Sequence, residues 1–300
     1  MGKFGSTIQL MKASWEVVKN NKRLLILPVL STICMLLVIA SFWYPIVKAN
    51  PGFFAEGVEE AEVEVNLLYF HPPAEDAEPI EHVRFYGALF AFYFANYFVI
   101  IFFNAALVAA ALFWMRSGDS SISSGLSAAA KRLPQILGWA LVSATVGLIL
   151  RLIENANEKI GRFAAAILGS AWTFLTYLVV PVIVVEGKGP VASLKDSVKM
   201  LKDTWGQQLT GGFAFGLVYF LLSLLGVGII AGAGYLYSVT NNGVIFVAGI
   251  AIAAIYWLGL ILVSAVMTPV FQAALYVYAK DGKAPGSFGE QLLSGAFRKK

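Results

Sequence analysis

From Thr204 to Ala279 the chain runs 76 residues without one charged side chain. Four further stretches are also uncharged: Leu24–Val47, Phe85–Met115, Leu133–Leu150 and Phe163–Val185. Hydrocarbon solvates neither a free charge nor an unpaired backbone amide. Long uncharged apolar runs therefore become membrane-spanning helices, in which every backbone bond closes within the segment.

The composition agrees. The chain is 58% hydrophobic and 13% charged, against about 25% charged in a soluble domain. A span needs roughly 20 apolar residues. Leu24–Val47, Leu133–Leu150 and Phe163–Val185 hold one each, and the 31 residues of Phe85–Met115 make one long or tilted helix. The longest run must fold back once. Its one strong turn signal is Thr240-Asn241-Asn242-Gly243, where Asn-Gly is expected to supply a positive φ. The count is six spans in a single membrane domain covering residues 1–300.

Lys and Arg set the orientation. In a six-span chain, 17 of the 22 basic residues fall on the side that holds both termini. The opposite side has five, together with 11 of the 18 acids. The expectation is a multi-pass protein of the plasma membrane with cytoplasmic N and C termini. The net charge of +4 hides this asymmetry. It gives no ground for nucleic-acid binding, because topology and contact with anionic lipid already account for the basic residues. Residues 1–40 read as an uncleaved first span. Val38-Ile39-Ala40 is only a weak cleavage-like site, and Pro28 interrupts the apolar core. Cys34, the one cysteine, excludes an internal disulfide.

An amphipathic segment precedes each outward span. Phe4, Ile8, Met11, Trp15 and Val18 recur at helical spacing, with Gln9, Lys12, Glu16, Lys19 and Arg23 opposite. Ile122, Leu126, Ala129 and Leu133 form a second set. Val191, Leu194, Val198, Leu201 and Trp205 form a third, with Lys195, Lys199 and Lys202 opposite, and Phe288 and Leu292 start a shortened fourth. Local matches point to duplication. Leu126, Leu133 and Gly138 stand 68 residues before Leu194, Leu201 and Gly206, and Gly187-Lys188-Gly189-Pro190 echoes Gly282-Lys283-Ala284-Pro285. Phe103-Asn104-Ala105-Ala106-Leu107 returns as Phe271-Gln272-Ala273-Ala274-Leu275. The expected fold is all-α: six transmembrane helices arranged as three hairpin repeats, each preceded by a cytoplasmic amphipathic helix, about a pseudo-threefold axis.

Ser14-Trp15-Glu16, Lys22-Arg23-Leu24-Leu25 and Pro28-Val29-Leu30 open the chain; Phe103-Asn104-Ala105-Ala106-Leu107, Gly125-Leu126 and Leu137-Gly138-Trp139 lie in its middle. In these motifs the chain resembles a family of uncharacterised six-span prokaryotic membrane proteins, filed as a domain of unknown function. The resemblance covers most of the chain apart from the first outer loop. It implies the architecture and no activity, because the family brings no catalytic residues to carry over.

Candidate sites are few. The segment 48–84 reads as an acidic extracytoplasmic loop, with nine acids and with His71 and His82 flanking Glu75 and Asp76. The spacing fits no closed metal motif, so a solvated loop is expected and no metal or cofactor. Glu62–Leu67 alternates like a strand. Asn96, Asn104 and Gln272 are amides at membrane depth and are expected to make polar contacts between helices, or else to line a path. No ionisable group is central in any span, which counts against ion-coupled transport. Gly212 and Gly216, and Gly228 and Gly232, have the spacing of close helix contacts. Ser193, Asp196, Ser197 and Asp203 share a helix, but a hydrolase needs a base such as His beside its nucleophile. Both histidines fall on the other side of the membrane.

The sequence therefore points to a non-enzymatic structural or accessory membrane component. Its expected partners are membrane lipids, through anionic headgroups at the cytoplasmic face, and a homo-oligomer or other membrane proteins. The alternative is a channel or transporter with a path along the pseudo-threefold axis.

Overall fold

The computed structural model describes residues 3–49, 78–156, 159–205, 211–282 and 288. Within them, side chains are described outside 3–10, 45–49, 203–205 and 211–215. The described residues are helical, with no strand. In order they form α1 (Lys3–Asn20), α2 (Ile26–Ala49), α3 (Pro79–Ser117), α4 (Ile122–Ala130), α5 (Leu133–Ala156), α6 (Ile160–Leu175), α7 (Val179–Glu186), α8 (Pro190–Trp205), α9 (Gly211–Thr240) and α10 (Gly243–Asp281). A 3-10 turn, Lys22–Leu25, joins α1 to α2.

Six segments are long and apolar enough to cross a membrane: Lys22–Tyr44, Pro79–Ser117, Leu133–Ala156, Ile160–Glu186, Gly216–Thr240 and Gly243–Asp281. The number matches the sequence reading. The second begins at Pro79, before the expected Phe85, so Glu81 and His82 join its first turns. α3 and α10 each have 39 residues. At 1.5 Å per residue each is about 58 Å long, roughly twice the hydrocarbon thickness. Most of the acidic loop, including His71 and the strand-like Glu62–Leu67, lies outside the described residues.

The chain divides into two compact units. One comprises Met1–Val29, Phe103–Arg132 and Leu175–Lys300. Its centre is the α9–α10 hairpin, against which α1 packs. The Tyr256 hydroxyl donates to the Leu222 carbonyl at 2.7 Å, and the Trp257 indole N–H donates to the Ser223 carbonyl at 3.1 Å. Gly226 admits the Trp257 ring, and Gly249 admits Ala233. These glycines make the close contacts. Gly216, Gly228 and Gly232, where close packing was expected, have open space where a Cβ would stand. The hairpin turns where the sequence indicated, but Asn241, not Gly243, takes the positive φ of 55°. The Asn242 side chain caps α10 by accepting from the Val244 amide at 3.0 Å.

The other unit comprises Leu30–Phe102 and Leu133–Phe174. There Trp139 stacks on Trp172 with ring centroids 5.6 Å apart, Phe42 meets Phe92 edge-on at 5.4 Å, and the Tyr97 ring lies against Gly147.

The faces that the short helices bury coincide only in part with those the periodicity suggests, sharing Val18 and Leu201. In α1, Ala13, Ser14, Val17 and Val18 are buried, while Trp15 is 44% exposed. In α8, Ser193, Ser197 and Leu201 are buried, Val191 is exposed, and Lys195, Lys199 and Lys202 face outward. α4 lays Gly125 onto the Ala106 carbonyl and Ala110 of α3, and ends at Ala130 rather than running on to Leu133. Small side chains let helix axes approach closely, so they take the protein-facing side. Large apolar residues then remain outward.

Three helices end alike. Gly118 after α3, Gly187 after α7 and Gly282 after α10 have φ of 73°, 65° and 67°. Each returns its N–H to the carbonyl four residues back: Trp114 at 2.8 Å, Ile183 at 3.0 Å and Tyr278 at 2.9 Å. This is the left-handed glycine stop, which an L side chain disfavours. At Gly187 a Cβ would also meet the Arg132 guanidinium, whose Nε donates to the Val184 carbonyl at 3.3 Å. At Gly118 and Gly282 that space is open. Alanine at any of the three should lower stability by about 1–2 kcal/mol through backbone strain. Gly187→Ala should lose most, because Arg132 must also give up its carbonyl. Thermal unfolding in detergent gives the ranking, and equal losses at all three would refute it.

Candidate functional site

Span four is interrupted. Pro181, in the first turn of α7, has no N–H, and its ring crowds the carbonyl four residues earlier, at Tyr177. The helix therefore breaks between Leu175 and Val179. The Val179 amide turns to the Thr176 carbonyl at 3.0 Å, which releases the Leu175 carbonyl, and the Leu178 amide is released as well. Ser197 of α8 takes both groups. Its Oγ donates to the Leu175 carbonyl at 2.8 Å and accepts from the Leu178 amide at 3.2 Å. Ser197 is fully buried. One hydroxyl thus repairs a gap in a spanning helix and docks α8 there. Ser193, one turn earlier on the same face, donates to the Lys188 carbonyl at 3.1 Å.

The α7–α8 turn is built for close quarters. Gly187 supplies the left-handed stop and Pro190 starts α8, where a missing N–H costs nothing. Charges gather around it. Glu186 ends α7 with its side chain only 14% exposed. It accepts from the Tyr276 hydroxyl at 2.7 Å and the Lys280 ammonium at 2.8 Å, both from the end of α10. Its second oxygen meets Lys188 at 2.7 Å, and Lys188 also pairs with Asp196 of α8. Lys280 lies 5.6 Å from the centre of the Tyr276 ring.

The lysines in this network are largely exposed, so their pairs count for little individually. The stronger bond is from the buried Tyr276 hydroxyl to a carboxylate. Hydrogen bonds to Asp196 and Glu186 hold Lys188 above its ordinary range, at about 12. A raised folded-state value means its pairs contribute fully below about 10.5 and fade as pH rises through 12. Lys188 therefore keeps its charge across the physiological range.

The sequence singled out Asn96, Asn104 and Gln272. Asn96 donates to Phe92 of its own helix at 2.8 Å, a bond within α3 rather than between helices. Asn104 and Gln272 occupy matching surroundings. Ala105, Ala106 and Leu107 after the one, and Ala273, Ala274 and Leu275 after the other, are buried. The amide oxygens of both are shielded and find no hydrogen-bond partner among the described residues. No bond joins the two.

Sequence reading passed over the Glu186 network, although a signal was present. Glu186 and Lys280 are the first charges after the fourth and sixth apolar runs, so both fall at the same end of their helices. No pattern in sequence pairs Ser197 with Leu175 and Leu178. Among the described residues, no three His, Cys, Asp or Glu side chains are grouped as metal ligands would be.

The model of a family of unknown function, DUF6159, matches residues 83–286. The motifs around Asn104, Gly125 and Gly138 lie inside the match; those from Ser14 to Leu30 precede it. No curated protein matches the chain.

Replacing Ser197 with alanine strands a carbonyl and an amide at the break. The expected loss is about 1–2 kcal/mol, the scale of hydrogen bonds in a membrane protein. Ser193→Ala, which frees only a carbonyl at the turn, should lose less. Unfolding in detergent tests both, and an unaffected Ser197→Ala protein would mean that the break needs no partner.

Proposed function

Because the chain belongs to DUF6159, a family without an assigned activity, we propose its role from its own residues. It is a structural or accessory component of the plasma membrane, non-enzymatic and without a cofactor. Both termini are cytoplasmic. α1, α4 and α8 lie in the cytoplasmic interface, and the exposed lysines of α1 and α8 meet anionic headgroups.

The carrying observation is the break in span four. Transporters leave such interruptions open to bind substrate. Here Ser197 occupies the Leu175 carbonyl and the Leu178 amide, and Glu186, Lys188, Asp196, Tyr276 and Lys280 are engaged with one another. Polar groups joined in this way hold helices together and leave little to offer a passing solute.

Three hairpin repeats are part of the same reading. In its support, the second, fourth and sixth spans all end on a left-handed glycine, and the Asn104 and Gln272 segments bury the same positions. Partners are membrane lipids and, through the open face of Gly228 and Gly232, a second copy or another membrane protein. Nucleic acid is not among them.

The split of Lys and Arg carries the topology. Cysteine introduced at Glu60 or Asp76 should label from outside intact cells, and cysteine at Ser123 should label only after permeabilisation. The reverse pattern would invert the orientation.

One observation favours the second reading, a channel or transporter with a path along the repeat axis. The shielded oxygens of Asn104 and Gln272 have acceptor capacity to spare. An unsatisfied buried acceptor is unfavourable, so removing it is neutral or stabilising if it has no other use. Asn104→Leu and Gln272→Leu should leave the melting temperature unchanged or raised, and proteoliposomes should pass neither protons nor potassium. Flux in the wild type that either substitution abolishes would instead establish the path.

A further inference from the structure

Where α1 runs into α2, a cleft of about 530 Å³ opens against the end of α3. Lys19, Lys22 and Arg23 line one side, and Trp114, Gly118 and Asp119 the other. Its floor is fixed. Asn21, 8% exposed, donates through Nδ2 to both the carbonyl and the hydroxyl of Ser120, which is equally buried. The 3-10 turn begins there, with the Leu24 amide returning to the Asn21 carbonyl at 3.1 Å. This holds Lys22 and Arg23 on a short, tight turn.

The charge balance is decisive. Asp119 contributes one negative charge, and the C-terminal ends of α1 and α3 about half a charge each. Among the described lining residues three cations exceed that sum by about one, so the cleft they form favours anions. The same helices also present exposed large apolar side chains just beyond it: Ile26 and Val29 in the first turns of α2, and Phe113 beside Trp114. Free phosphate would use the cations alone, whereas Ile26, Val29 and Phe113 belong to spanning segments and face acyl chains already. An anionic phospholipid uses both, with its phosphate over Lys19, Lys22 and Arg23 and its chains along Ile26, Val29 and Phe113. Trp114 suits the boundary between them.

We propose that this cleft is a discrete binding site for the phosphate headgroup of an anionic phospholipid. The inference rests on the reading above that this end of the spans meets the anionic leaflet, and it narrows diffuse attraction to one place.

The test is thermal unfolding of the full chain in zwitterionic detergent, titrated with dioctanoyl phosphatidic acid. Dioctanoyl phosphatidylcholine and inorganic phosphate form the comparison arms. Phosphatidic acid should raise the wild-type melting temperature saturably, and phosphatidylcholine should not. Combined Lys19→Gln, Lys22→Gln and Arg23→Gln should weaken half-saturation by at least roughly tenfold, given the membrane-surface attraction of each basic residue. Combined Lys195→Gln, Lys199→Gln and Lys202→Gln, on the exposed face of α8, should leave it near the wild-type value. Asp119→Asn should tighten it several-fold, and decides the matter if the triple cleft variant does not fold.

A cleft variant that binds like wild type would overturn the proposal. So would equal losses in both triple variants, which indicate diffuse attraction. Inorganic phosphate matching phosphatidic acid at equal concentration would indicate a small-anion site instead. Detergent exposes both faces, so the titration does not depend on orientation. A failed labelling experiment with a positive titration would move the site to the other leaflet and leave it standing.

Discussion

A helix in hydrocarbon has no water to rescue a lost backbone bond. The structure depends on that constraint most visibly at Pro181, where span four divides into α6 and α7. Among the groups that the interruption releases are the Leu175 carbonyl and the Leu178 amide, and a single serine hydroxyl serves both at once. Threonine would bring an extra methyl to a site with no exposed surface, and alanine neither function. Once Ser197 is committed to the break, α8 has a fixed rotation. Ser193 and Leu201 then face inward with it and the three lysines outward. A local backbone defect thereby sets the placement of a whole helix.

The same economy of space governs the other contacts. Helices approach most closely where one side contributes no side chain, as at Gly125 on Ala106, Gly226 under Trp257 and Gly249 beside Ala233. Buried alanines dominate the inward half of α3. Between apolar helices in an apolar solvent, area burial contributes little, and fit and dispersion decide association. This explains why the short helices turn small residues inward and leave Trp15 and Val191 exposed, against the simple expectation that the largest apolar face is the buried one.

Electrostatics is concentrated at helix ends. Glu186, Lys188 and Lys280 stand just beyond apolar runs, where a charge keeps contact with water while its partner comes from another helix. Arg132 meets the C-terminal carbonyls of α7, the end that favours a cation. Among the described residues that line their cleft, Lys19, Lys22 and Arg23 have carboxylate company only from Asp119. That difference separates the two basic clusters: one is neutralised within the protein, and the other retains an excess.

The sequence by itself determined the number of candidate spans, the turn between the last two, and which ends of those spans gather the positive charge. Each is a property of one segment against its solvent: an uncharged run such as Thr204–Ala279 has no alternative to crossing. The glycine stops were half legible. Gly187 and Gly282 stood in an evident echo, but only backbone geometry joined Gly118 to them. Tertiary structure alone decided the rest. Periodicity in α1 and α8 locates an apolar face but cannot tell lipid from protein, since both are apolar. Gly243 takes a positive φ at lower cost than Asn241, yet it is Asn241 that adopts it, while Asn242 caps α10. Ser197 reads in sequence as one hydroxyl among several. Its role exists only because a proline sixteen residues earlier opened a helix within its reach, and that pairing is a fact of packing in three dimensions.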